Sequence, residues 1–178
     1  RAVCALSPLL LLAAADAQTL PAFNLVAARS NPLKGWTSAP LWTPPEEQKM
    51  PSTVEFYYIG LNQVMSSMTD FSGMDTHLEP LLVGTASRHR HAVLRVICDY
   101  PGNLEFTVPQ FLIDGGLNMT QYVDNEGSNK GTEAFAPDYS DENLIAAMEA
   151  FIAEFAARYD GDHRIGWIQV GLLGFWGE

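Results

Sequence analysis

A chain of 178 residues, 47% hydrophobic and 17% charged, carries enough apolar side chains to bury a sizeable core and lacks the polar bias of a disordered segment. Its formal net charge of -11 repels phosphate backbones, and no Lys/Arg stripe offsets it. Nucleic acid and anionic membrane surfaces are therefore excluded as expected partners.

Residues 2–15 are almost purely apolar and close on Ala15-Asp16-Ala17, a small-x-small pattern of the kind signal peptidase cuts. This predicts a signal peptide over residues 1–17 and a secreted or extracytoplasmic protein with no membrane attachment after cleavage. The other reading is a short buried helix or a membrane span, but a span takes about 20 apolar residues. Cleavage removes one positive charge (Arg1) and one negative (Asp16), so the net charge stays at -11. Of the two cysteines, Cys4 lies in the leader, which leaves Cys98 without an internal disulfide partner.

Residues 18–50 form an N-terminal extension rich in Pro, Ser and Thr, with Asn31-Pro32-Leu33-Lys34-Gly35-Trp36 as its distinctive stretch and at most a short strand. Residues 53–61 are aromatic and β-branched without clean alternation, which suits a strand buried on both faces. Residues 91–100 read the same way and are halted by Pro101-Gly102. Between them a helix is expected over 78–90, with Leu78, Leu81 and Leu82 on one face. Residues 101–137, rich in Gly, Asn and Asp, read as a long loop with one helical turn at 110–113, and long loops in compact domains are commonly functional.

The clearest element is a helix over 140–159. Ser140 is a suitable N-cap, Asp141 and Glu142 favour the positive helix start, and Asp160-Gly161 supplies the stop. Its apolar stripe reads Leu144, Met148, Phe151, Ile152 and Phe155. Residues 165–173 follow as an apolar, glycine-bearing strand, so helix and strand succeed one another as in a parallel α/β sheet.

A carboxylate directly after such a strand lies at the carboxyl edge of the sheet, where barrel enzymes build their sites, and Glu178 holds that position. Glycines at 171, 174 and 177 leave room for a close-approaching ligand, and Trp176 offers a flat apolar face for a sugar ring. From position alone, Glu178 is either catalytic or an exposed residue at a broken chain end.

The order Asn31-Pro32-x-x-Gly35-Trp36, then Leu94-Arg95-Val96, then Arg158-Tyr159-Asp160-Gly161-Asp162-x-Arg164-Ile165 leading into Gly171-Leu172-Leu173-Gly174-Phe175-Trp176-Gly177-Glu178 resembles a domain-of-unknown-function family of secreted barrel proteins. The likeness covers nearly all of the chain after the leader. That family is similar to the large glycoside hydrolase clan of (β/α) barrels, in which strand four ends in the acid/base Glu.

The resemblance implies an α/β fold, the N-terminal part of a TIM (β/α)8 barrel, with about four β/α units over residues 51–178 and the strand near Trp36. A complete barrel takes about 250 residues, so the chain reads as a fragment, truncated at its C-terminal end. Strands one to four fall at 31–36, 53–61, 91–99 and 165–173, and Glu178 ends the fourth. The chain departs from the clan at two positions: Gly177 stands where the clan usually has Asn, and His163 where Pro is common.

Glycoside hydrolysis uses two carboxyl groups, one protonating the leaving oxygen and one acting as nucleophile or base, about 5 to 5.5 Å apart in retaining enzymes. By the resemblance the second comes from strand seven, outside this sequence. Asp99, just past strand three, suits either polar substrate contact or a turn. Arg95, inside an apolar strand, needs a carboxylate such as Glu55 or Glu178, or serves the substrate. Asn62 and Tyr100, at the ends of strands two and three, are placed to line the pocket, and Trp36 to stack on a sugar.

Arg88-His89-Arg90-His91 lacks a third metal ligand, and its basic residues suit a helix end. No Gly-rich phosphate loop and no nucleophilic Ser or Cys motif occurs, so neither cofactor nor metal is expected. The expected function is a secreted glycoside hydrolase acting on a polysaccharide or oligosaccharide. The alternatives are a non-catalytic carbohydrate-binding barrel and a surface scaffold, and the oligomeric state is left open.

Overall fold

The computed structural model describes residues 33, 36–39, 52–102, 105–125 and 130–177. The expected leader, most of the extension after it, and Glu178 lie outside the described residues. In chain order the elements are β1 (Trp36–Ser38), β2 (Ser52–Gly60), the one-turn helix α1 (Leu61–Val64), and a π-wound turn (Met74–Leu78) running directly into α2 (Glu79–Ser87). There follow β3 (His91–Ile97), α3 (Gln110–Asp114), β4 (Met119–Val123), β5 (Glu133–Pro137), the long α4 (Glu142–Tyr159), β6 (Ile165–Ile168) and a 3-10 turn (Phe175–Gly177).

β1, β2, β3 and β6 pair side by side in that order, every pair parallel, while β4 and β5 form a separate antiparallel hairpin. The fold is therefore mixed α/β with a parallel sheet, whose neighbouring strands need long crossovers rather than tight turns. The strands expected at 53–61 and 91–100 are β2 and β3, with the short β1 and β6 at the edges.

Alternation along the strands divides the sheet into two faces. Tyr57, Ile59, Leu94, Val96 and Cys98 are buried in one core with Leu78 and Leu82 of the α2 segment and Leu144, Met148, Phe151 and Phe155 of α4. The other face carries Phe56, Tyr58 and Arg95, with the Arg95 guanidinium 5.8 Å from the Phe56 ring centre and 5.5 Å from that of Tyr58.

Four expectations are corrected. The stretch 101–137 contains the expected helical turn, but it also folds back as the β4–β5 hairpin. The α4 N-cap is Asp141, whose Oδ1 accepts from the backbone N–H of Asn143 (2.8 Å) and Leu144 (3.0 Å), while Ser140 donates its hydroxyl to Asp138. Ile152 is 54% exposed, so it falls off the buried stripe that Phe151 and Phe155 continue. The last strand stops at Ile168 rather than 173, because Leu172 and Gly174 adopt left-handed backbone (φ 77 and 75) that no regular ladder accommodates.

The chain nevertheless continues alongside β3. Gln169 N–H donates to Leu94 O (2.9 Å), Leu172 N–H to Val96 O (2.7 Å) and Trp176 N–H to Asp99 O (3.2 Å). Gly171 makes this close approach possible, since a Cβ there would overlap the Val96 carbonyl. Among the described residues no helix is long and apolar enough to cross a membrane.

At the opposite, amino-terminal part of β2, Glu55 is fully buried and fully satisfied. Arg88 donates Nε to Oε1 (2.8 Å) and Nη2 to Oε2 (2.6 Å), and Arg90 donates Nη1 to Oε1 (2.8 Å). Tyr57 (2.6 Å) and Thr85 (3.0 Å) donate hydroxyls to Oε2. Burial pushes the Glu55 carboxyl up, but the bonds from Arg88, Tyr57, Arg90 and Thr85 outweigh it and hold it at about 2. Two of the four residues in the Arg88–His91 cluster thus anchor a helix end to a strand, a role beyond favouring the helix dipole.

Candidate functional site

Parallel strands bring their carboxyl ends to one edge, so the residues following β2, β3 and β6 meet there irrespective of sequence distance. Asn62 follows β2, Asp99 and Tyr100 follow β3, and Trp176 lies in the turn after β6. The Tyr100 ring stands edge-on to Trp176 (centroids 6.4 Å apart, 89°) and to Tyr58 (5.5 Å, 83°). Burial and the neighbouring Tyr58 raise the Tyr100 phenol, which keeps it a neutral hydrogen-bond donor.

Arg95 does not pair with Glu55, which is committed to Arg88 and Arg90 on the other face. Its Nε donates to Gln169 Oε1 (2.8 Å) and its Nη1 to the Trp176 carbonyl (3.2 Å), with a longer contact to the Tyr58 hydroxyl (3.5 Å). The guanidinium therefore holds the turn that presents Trp176. That turn is strained: Trp176 has φ 52, a left-handed conformation costing on the order of 1–3 kcal/mol for a residue other than glycine. The bonds to Asp99 O and from Arg95 keep it in place.

Asp99 is fully buried. Its Oδ1 accepts from the Tyr122 hydroxyl (2.7 Å), and its Oδ2 has no hydrogen-bond partner. Burial pushes its carboxyl up to about 6, against the lowering effect of Tyr122. Tyr122 also stacks on Phe175 (4.8 Å, 22°), and Tyr139 donates to the Gly174 carbonyl (3.4 Å). The hairpin and the chain behind it thus close against the same edge.

Asn62 is exposed, with Nδ2 donating to Phe106 O (2.8 Å) and its backbone N–H to Thr107 O (2.9 Å). It lines a cavity of about 190 Å³ with Tyr58, Tyr100, Glu105, Phe106 and Thr107, between the ends of β2 and β3. A larger apolar groove of about 740 Å³ runs between α4 and β6, away from these polar groups.

The structure brings Asn62, Asp99, Tyr100, Arg95 and Trp176 together and leaves Trp36 out. Trp36 opens β1 in register with Ser52, at the amino edge, so a nine-residue strand separates it from Asn62, roughly 25 Å. Glu178, the expected catalytic carboxylate, lies outside the described residues and follows Gly177 in sequence. Among the described residues no three His, Cys, Asp or Glu side chains cluster as metal ligands.

Sequence reasoning missed Tyr58, Gln169, Tyr122 and Tyr139. For Tyr122 a signal existed: Gly127-Ser128-Asn129-Lys130-Gly131 between two short stretches bearing Val, Thr, Tyr and Phe is a hairpin pattern. No family model matches the chain, and no curated protein matches it.

Proposed function

We propose that the chain is the N-terminal part of a secreted (β/α) barrel of the glycoside-hydrolase type, acting on a polysaccharide or oligosaccharide. The parallel strands β1, β2, β3 and β6 are strands one to four of eight in this reading, and the family likeness drawn from the motifs carries it beyond the described sheet. The observation that supports it best is the joining of Trp176 and Tyr100, two flat aromatic surfaces, with the Arg95-held turn at the carboxyl edge of a parallel sheet, two residues before Glu178 in sequence. Sugars are recognised by such aromatic faces together with hydrogen-bonding groups, here Asn62 and the Tyr100 hydroxyl.

Glu178 is the acid/base residue in this proposal, and its partner carboxylate comes from a later strand. The intact protein, assayed on glycosides with poor and with activated aryl leaving groups, tests it. Glu178→Gln slows the poor leaving groups far more, since activated ones need little protonation, and leaves binding in place. Equal loss on both substrate types removes the acid role.

The second reading is carbohydrate binding without cleavage. Gly177, standing where the clan has an Asn to bond a substrate hydroxyl, favours it. Glycan binding without hydrolysis, weakened by Glu178→Gln, assigns that reading.

A further inference from the structure

The hairpin of β4 and β5 is a two-stranded sheet of its own, and such a ribbon has little stability by itself in water. Thr120, Gln121 and Val123 of β4 face solvent. Beyond the packing of Met119 on the core and the burial of Ala134 and Pro137, it is fastened to the carboxyl edge through Tyr122 on Asp99 and Phe175, and through Phe135 edge-on to Phe106 at 5.1 Å.

One of those points is a buried carboxyl group with a single donor. An anion taken out of water needs its lone pairs satisfied, and Asp99 has Tyr122 on Oδ1 and nothing on Oδ2. Lifting the hairpin removes Tyr122 and returns the carboxylate to water. Closing it buries the carboxyl again, and the neutral acid is the form that burial favours.

We propose that the β4–β5 hairpin is a flap over the carboxyl edge of the sheet, clamped at acidic pH and loosened toward neutrality, with Asp99 taking up the proton as it closes. The flap rests on the turn that carries Phe175 and Trp176, so its position controls access to that edge whatever the edge binds.

The titratable groups facing Asp99 are Cys98 beside it, Tyr122 of β4, which Asp124 also faces, and Tyr139 after β5. Burial and Asp99 push the Cys98 thiol up to about 12. Burial, joined by Asp99, raises the Tyr122 and Tyr139 phenols above their ordinary value. All three stay neutral in the acidic to neutral range, where Asp99 titrates at about 6 when covered, against an ordinary 3.8. A closed-state value above the open-state value means that closure binds a proton. Its contribution is fully present below the ordinary value and is lost as pH rises through about 6.

Hydrogen–deuterium exchange on the full chain at a series of pH values from 4 to 8, corrected for the intrinsic pH dependence of amide exchange, reads the flap directly. Protection of the β4 and β5 amides is expected to be roughly tenfold higher at pH 5 than at pH 7, with α4 unchanged. Asp99→Asn keeps an acceptor for Tyr122 and cannot ionise, so it shows the pH 5 protection throughout the series. Tyr122→Phe removes the donor and moves the pH dependence upward, and Asp124→Asn behaves as wild type.

Equal wild-type protection across the series overturns the proposal, as does a pH dependence that persists in Asp99→Asn, disappears in Asp124→Asn or is shared by α4. Should Asp99→Asn fail to fold, Tyr122→Phe decides, and an unshifted midpoint there overturns it.

Discussion

Arg88 holds Glu55 through two parallel hydrogen bonds, Nε to Oε1 at 2.8 Å and Nη2 to Oε2 at 2.6 Å, joining the end of α2 to the first half of β2. Fork-shaped pairs of this kind are the strong, geometrically specific ones, and this one sits on a carboxylate with no solvent exposure. With Arg90, Tyr57 and Thr85 it makes a polar node under an otherwise apolar sheet.

Glu55→Gln leaves Arg88 and Arg90 facing a neutral group and breaks the node, at an expected cost of about 3–5 kcal/mol in urea unfolding. The same node sets an acid limb. The folded carboxyl is held at about 2 against an ordinary 4.5, so its contribution is fully present above 4.5 and is lost as pH falls toward 2. The stability difference between wild type and Glu55→Gln, measured from pH 6 down to pH 3, is expected to shrink on the acid side.

Gly171→Ala tests the close approach of the chain after β6 to β3. The added methyl meets the Val96 carbonyl and lies 3.0 Å from Arg95 Cγ, so the backbone must move. A loss of about 1–3 kcal/mol is expected. Gly161→Ala is the comparison: its Cβ enters open space, and only the left-handed φ of 78 opposes it, at about 1–2 kcal/mol. Intrinsic fluorescence should separate the two, because only Gly171→Ala disturbs the turn carrying Trp176.

The buried and exposed faces of α4 predict different costs for adjacent residues. Phe151→Ala, at 5% exposure, removes a ring from the shared core and is expected to cost about 3–5 kcal/mol. Ile152→Ala, at 54% exposure, should stay within about 0.5 kcal/mol of wild type. Denaturant midpoints of the two variants measured together check the assignment of the helix face.

Much of the fold was legible locally. The 3.6-residue spacing of Leu144, Met148, Phe151 and Phe155 predicts α4, and the aromatic and β-branched runs around Phe56 and Leu94, without clean alternation, predict strands covered on both faces. Their order, strand then helix then strand, implies parallel pairing, and parallel pairing places Asn62, Asp99, Tyr100 and Trp176 at one edge. The hairpin was not legible in the same way. Thr120, Gln121 and Val123 face solvent and β4 shows no apolar alternation, so its main signal was the glycine-flanked turn rather than a periodicity.

The sequence by itself determined β2, β3 and α4 and which strand ends share the carboxyl edge, because periodicity, turn residues and chain order act over a few residues. Only the tertiary structure decided who partners whom. Glu55 takes Arg88 and Arg90 rather than Arg95, because alternation along neighbouring strands puts Glu55 on the helix-covered face and Arg95 on the other. Tyr122 reaches Asp99 across 23 residues because the hairpin folds back over the edge, and Trp36 is left at the amino end because β1 pairs with the first residues of β2. Such partnerships depend on register and on which face a side chain leaves, and neither is written in the spacing of residues along one segment.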